Sequence, residues 1–376
     1  MNTYLNRQKK VSSLLAREDI SLLVLCDREG MRNPSIRYLT GHPSDSVLFI
    51  FADGRTLLLP WDINLAQIKA TATQIKPYND YGRTLSQAVA KVLEEEKLKA
   101  GSRVEVPAEL PYPEFMKLSE GGRCQFICRE GGLAARVEDM RQIKDDSELA
   151  TLRKAFAITD SILDKIEATV RGGQCTETDI ALLIDREARL AGAEGTGFET
   201  LAAAMGRSYN IHAFPAYTGA LMPADGLSII DFGVKYDGYT SDVTTTITRN
   251  LNPEQERMVN VIEGAVKVSE GLLKPGTLTT ELSGAVNDYL EKNGYVMPHN
   301  LGHGIGLYIH EKPFLRAKVD PVKLEKGMVF TIEPGVYDPE LGGIRLENDY
   351  LITDNGYDKL TNSRIIRLQF PKYRSM

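Results

Sequence analysis

The stretch Ser228-Ile-Ile-Asp231-Phe-Gly-Val-Lys-Tyr236-Asp237-Gly238-Tyr239-Thr-Ser-Asp242 has a turn dipeptide at its centre and a carboxylate on each arm. β-Branched and alternating apolar residues flank Asp237-Gly238, the strongest short-range signal for a two-residue type I′ hairpin turn. That turn sets Tyr236 opposite Tyr239. The same register puts Asp231 opposite Thr244 and Asp242 opposite Gly233, so the two aspartates become diagonal neighbours on one face of the ribbon. Asp231 lies between Ile230 and Phe232, where an unpaired carboxylate is costly to bury and calls for a cation. The spacing predicts half of a metal site; the competing reading is a surface hairpin with two solvated aspartates.

Two stretches further along supply the other half. Pro298-His299-Asn-Leu-Gly302-His303-Gly304-Ile-Gly306-Leu-Tyr-Ile-His310-Glu-Lys-Pro313 holds three of the five histidines of the chain. Glycines on both sides of His303 allow close approach by another group, as expected where an imidazole is aimed at a target. In Met328-Val-Phe-Thr-Ile-Glu333-Pro-Gly and Gly343-Ile-Arg345-Leu-Glu347-Asn-Asp349, each glutamate ends or interrupts an apolar strand, where a free carboxylate is poorly solvated. An ion pair of Glu347 with Arg345 or Lys326 is the structural alternative. Four carboxylates and one imidazole form a hard to borderline donor set that suits manganese, cobalt, iron or zinc rather than copper. Two divalent ions would balance the four charges and activate a shared hydroxide for hydrolysis.

At 376 residues the chain exceeds what one hydrophobic core usually organises, so two domains are expected. From residue 1 to about 135, short strands alternate with helices, the mark of an α/β layer fold. The run Ile20–Cys26, the hairpin around Asp53-Gly54 and the strands at Arg103–Val106 and Gln125–Cys128 carry no catalytic pattern. A boundary falls near residues 130–145, after which Asp145-Asp-Ser-Glu148 caps a long helix. Beyond it, helices wrap curved antiparallel ribbons. A net charge of −6 supplies no phosphate-neutralising excess, which argues against a nucleic-acid or anionic-membrane partner. No stretch has the apolar length of a membrane span, and the polar N-terminus lacks a signal-peptide pattern. The four scattered cysteines, Cys26, Cys124, Cys128 and Cys175, read as reduced thiols in a cytoplasmic protein, with Cys124 and Cys128 as buried structural thiols rather than metal ligands.

Residues 141–376 resemble the pita-bread metallopeptidases of the aminopeptidase P, prolidase and methionine aminopeptidase family. The resemblance rests on Asp231-Phe-Gly with Gly238-Tyr-Thr-Ser-Asp242, Gly302-His-Gly-Ile-Gly306 with His310-Glu, Glu333-Pro-Gly and Gly343-Ile-Arg-Leu-Glu347, in family order and spacing. Residues 1–135 are similar to the smaller α/β domain of the creatinase, prolidase and aminopeptidase P branch. The resemblance implies an α/β N-terminal domain followed by an α+β pita-bread catalytic domain with a curved antiparallel sheet. It implies two divalent metals, manganese first, on Asp231, Asp242, His303, Glu333 and Glu347. It makes His212 the contact to the scissile amide, His310 the group that steadies the substrate carbonyl, and Glu333 also the proton shuttle. Arg345 and His299 support the ligands, His42 is a further substrate-binding candidate, and the loop that holds it approaches a partner subunit's site, which implies a homodimer. The expected reaction is release of an N-terminal residue from Xaa-Pro peptides, with an Xaa-Pro dipeptidase as the alternative and a catalytically silent peptide-binding module as the reading from another class. Three positions depart from the family pattern: Thr245 and Asn348, where arginine and aspartate are usual, and Phe314, where some prolidases place an arginine for the dipeptide carboxylate. Arg316 is the nearby substitute.

Overall fold

The computed structural model describes residues 2–120 and 122–368, and the chain divides into two compact units between Arg141 and Gln142. In the first, α1 (Thr3–Arg17) begins where the Asn2 side chain accepts from the Tyr4 and Leu5 amides. It leads into β1 (Leu22–Asp27), α2 (Pro34–Thr40), the hairpin β2 (Ser46–Phe51) and β3 (Thr56–Pro60), α3 (Ile63–Lys69) and β4 (Gln74–Ile75). Then follow α4 (Leu85–Glu95), β5 (Arg103–Val106), α5 (Tyr112–Ser119), β6 (Gln125–Cys128) and α6 (Leu133–Arg141). The strands form one sheet in the order β4-β3-β2-β1-β5-β6. Only β2 runs against the rest, pairing antiparallel with β1 and β3. Every residue of β2 is buried, as a strand covered on both faces requires. The seven-residue helices α2 and α3 are too short to display a periodic stripe, which is why sequence patterning passes over them. One cysteine corrects the expectation of buried thiols: Cys128, on edge strand β6, is exposed.

The second unit opens with α7 (Asp146–Gly172), whose capping box joins Asp145 and Glu148 as its sequence predicts. Next come β7 (Cys175–Thr176), α8 (Glu177–Leu190), β8 (Gly195–Thr196), β9 (Leu201–Ala203), α9 (Met205–Ser208) and β10 (Leu221–Met222). β11 (Gly226–Phe232) and β14 (Val243–Arg249) are the long arms of the ribbon read first in the sequence, and β12 (Val234–Tyr236) and β13 (Tyr239–Thr240) are its tip. The register is the predicted one, with Asp231 facing Thr244 and Tyr236 facing Tyr239. Asp237 and Gly238 take φ of 44° and 84°, both positive as a type I′ turn needs. At Gly233 the ribbon passes from one sheet to another, and a Cβ there would lie 2.0 Å from the Ser241 carbonyl oxygen, so no side chain fits.

Helices α10 (Pro253–Glu270) and α11 (Thr279–Lys292) follow. The apolar face of α10, including Met258 and Ile262, shares a core with Val286 of α11 and with Phe330 and Ile344 from the strands beyond. Those strands are β15 (Gly302–Gly304), β16 (Glu311–Leu315), β17 (Val329–Ile332), β18 (Gly335–Asp338), β19 (Gly342–Arg345), β20 (Asn348–Ile352), β21 (Tyr357–Lys359) and β22 (Ile366–Leu368). Five of them make an antiparallel sheet in the order β16-β15-β17-β20-β21, while β22 lies parallel to β14.

Candidate metal centre and active site

Strand ends bring the predicted ligands together. Asp231 lies near the end of β11, and Asp242 immediately precedes β14 on the returning arm. His303 is the middle residue of β15, Glu333 directly follows β17, and Glu347 sits between β19 and β20. All five line one cavity of about 640 Å³, together with His212, His299, His310 and Arg345. His303 Nε2 lies 3.5 Å from both Asp242 Oδ2 and Glu333 Oε1. Asp242, His303 and Glu347 each offer a donor atom within 4.8 Å of the other two.

Arg345, fully buried, ties this cluster to its supports. It donates to Asp231 Oδ2 at 2.6 Å, to Thr244 Oγ1 at 2.9 Å and to Tyr337 Oη at 2.7 Å. The Thr244 hydroxyl in turn donates to Glu347 Oε2 at 2.7 Å. Arg345 is thus the partner of Asp231 rather than of Glu347, and Lys326 pairs with Asp354. His299 lies 3.0 Å from the Tyr337 hydroxyl and 3.9 Å from Glu333. Asp349, fully buried, accepts from the Asp242 amide at 3.2 Å.

The electrostatics point to missing positive charge. Burial, with Glu347 and Asp231 close by, holds the Asp242 carboxyl well above the usual range, and burial with Glu333 and Asp231 does the same to Glu347. Burial pushes Glu333 up to about 8 against the opposing pull of Arg345. Arg345 forms an ion pair with only one of the four carboxylates, Asp231, whose Oδ1 is buried without a hydrogen-bond partner among the described residues. Burial and the neighbouring His310 lower His303 to about 3, which keeps its imidazole neutral and free to ligate. A buried set of four carboxylates and a neutral imidazole, with an orphaned acceptor among them, fits divalent metal ions.

The remaining predicted residues have definite places. His310 packs edge-on to His303 with ring centroids 4.4 Å apart. His212 lines the cavity beside Phe214, which is 96% exposed. Phe314 and Arg316 line it as well, the guanidinium 4.6 Å from the centre of the phenyl ring. His42 is in the first unit, completely buried, and its two ring nitrogens make no hydrogen bond there among the described residues. Asn348 turns from the ligands: it donates to the Ser363 carbonyl and accepts from Thr361 and from the Ser363 amide. Thr245 donates to the Arg364 carbonyl at 2.6 Å, holding the C-terminal segment against β14. Two supports escape the sequence reading, Thr244 and Tyr337. The hairpin register contains the first, since it sets Thr244 directly across from Asp231; nothing in the local pattern marks the second.

Residues 150–354 match the metallopeptidase family M24, and residues 7–143 match the creatinase/prolidase N-terminal domain. The Xaa-Pro dipeptidase of Pyrococcus horikoshii is 27% identical over 364 residues, which span 94% of this chain and 96% of that protein. A solved Xaa-Pro dipeptidase from Bacillus anthracis is similar with a TM-score of 0.84 at 27% identity, across 97% of this chain and 100% of the other. The X-Pro aminopeptidase of Thermotoga maritima gives a TM-score of 0.83 at 25% identity, across 96% and 99%.

Proposed function

Since the chain belongs to metallopeptidase family M24, we propose that it is an Xaa-Pro dipeptidase, hydrolysing the bond before a C-terminal proline with two divalent metals, manganese first, held by Asp231, Asp242, His303, Glu333 and Glu347. The observation that carries the dipeptide reading is Arg316: a guanidinium lining the catalytic cavity over Phe314 can take the free carboxylate of a two-residue substrate. The dipeptidase names of the Pyrococcus and Bacillus relatives support the same choice over the aminopeptidase reading. The Xaa-Pro aminopeptidase remains as the second reading because the Thermotoga enzyme is equally similar in structure.

When bound, the metals supply Lewis acidity toward the substrate carbonyl and a lowered pKa for water. The chain's own groups do the rest. Glu333 receives the proton of the attacking water and passes it to the proline nitrogen as the C–N bond breaks. His310 donates to the substrate carbonyl oxygen, and His212 holds the scissile amide. Arg345 and Thr244 fix Asp231 and Glu347, and Tyr337 with His299 braces Arg345 and Glu333. The silent binding module finds no support in a site whose ligand set is complete.

Metal-loaded protein assayed against Xaa-Pro and Xaa-Pro-Yaa peptides side by side tests the proposal. Cleavage of the dipeptide alone is expected, and Arg316→Ala should raise KM for it by roughly tenfold or more, the worth of a charge-assisted contact, with kcat nearly unchanged. Equal or faster cleavage of the longer peptide would select the aminopeptidase. The same proposal includes a homodimer in the cytoplasm, for which light scattering at twice the chain mass is the expected result.

A further inference from the structure

The first unit has a cavity of its own, of about 300 Å³, with no part in the reaction above. It opens at the carboxyl end of β1, where Cys26, Asp27 and Arg28 face it. From β1 the chain proceeds to β2 on one side of the sheet, and from β5 to β6 on the other. β1 and β5 are adjacent and parallel, so their carboxyl ends flank a topological switch point, the place where open α/β sheets bind ligands. Residues of α5, the crossover that follows β5, form one wall.

The lining is chemically divided. Arg83 and Lys117 face the cavity without a carboxylate partner among the described residues. On the acidic side, Glu114 accepts from Arg28 through Oε1 at 2.5 Å, while its Oε2 is buried with no hydrogen-bond partner among the described residues. Asp27 is buried, and that burial pushes its carboxyl up to about 6. Trp61, 62% exposed, and Tyr78 add an aromatic wall with ring centroids 6.1 Å apart. A dianionic phosphate would meet Asp27, Asp45 and Glu114, and β1 is followed by Arg28-Glu-Gly-Met-Arg32 rather than a glycine-rich phosphate loop. A zwitterion matches both signs at once.

We propose that this cavity binds a free α-amino acid with an aromatic side chain: its ammonium faces the carboxylates of Glu114 and Asp45, its carboxylate faces Arg83 and Lys117, and its ring lies against Trp61 and Tyr78. The volume is at the small end of ligand pockets, as one amino acid requires.

Trp61 is the single tryptophan of the chain, so its fluorescence reports on this cavity and not on the catalytic one. Titrating the full-length protein with L-phenylalanine should give a saturable change in that fluorescence, retained in His310→Ala. Phenylpropionate, which lacks the ammonium, and phenethylamine, which lacks the carboxylate, should each bind about tenfold more weakly or worse. Lys117→Ala, an exposed position on α5, should weaken phenylalanine but leave phenethylamine unchanged. A fluorescence response that stays flat to millimolar phenylalanine in folded protein, or equal affinity for all three compounds, would overturn the proposal.

Discussion

Strands β2 and β14 are both buried, and they are buried in opposite ways. β2, Ser46-Val-Leu-Phe-Ile-Phe51, buries the apolar side chains of Val47, Leu48, Phe49 and Ile50, none of which needs a hydrogen-bond partner, and its one polar side chain, Ser46, donates to the Ser44 carbonyl. β14, Val243-Thr-Thr-Thr-Ile-Thr-Arg249, buries four threonines, and three of their hydroxyls are spent on Glu347, the Arg364 carbonyl and the Arg345 carbonyl. Burying a polar group is tolerable only when it is hydrogen-bonded. β2 thus builds a scaffold, whereas β14 builds a polar lattice around carboxylates. In that lattice the atoms left over are informative: Asp231 Oδ1 and Asp349 Oδ1 have no hydrogen-bond partner among the described residues, and Asp231 lines the cavity where metal is expected.

Substitutions that exchange the two kinds of burial sharpen the contrast. The largest effect belongs to Asp242→Asn at the head of β14: turnover should fall by more than about a hundredfold, beyond what loss of an outer support costs, while circular dichroism stays native. Leu48→Ala in β2 should do the reverse, costing about 2–5 kcal/mol of stability in denaturant unfolding with the kcat of the folded protein unchanged. Thr244→Val lies between them. It removes the hydroxyl that donates to Glu347 and accepts from Arg345, so metal affinity by calorimetric titration should drop by about 10–100-fold with little loss of fold. The smallest effect is thermal. Metal at about a hundred times its Kd should stabilise the protein by roughly 2.7 kcal/mol, a rise in Tm that Asp242→Asn abolishes and Leu48→Ala preserves.

Much of this contrast is legible in the sequence, because both strands carry their neighbours with them. The Asp237-Gly238 turn fixes the register of β11 on β14, and with it the placing of Asp231 across from Thr244. The capping box at Asp145 and the helix start at Pro253 are equally local. Contacts made across distant segments are not legible. Arg345 chooses Asp231, 114 positions away, over its near neighbour Glu347, and Tyr337 joins Arg345 to His299 through a hydroxyl that no motif marks. The short helices α2 and α3 and the two-residue strand β4 lack the length for a period to emerge. Asn348 reads as a change beside the metal because it adjoins Glu347, yet alternation along β20 turns it toward Ser363.

The most direct test of the metal-centre reading is a chelate-and-restore assay. Protein stripped of metal is assayed on an Xaa-Pro dipeptide, then titrated with manganese while bound metal and rate are followed together. The stripped protein should show no turnover, and the rate should rise with added metal to two equivalents per chain. Full turnover in protein shown to be metal-free would contradict the metal-centre reading.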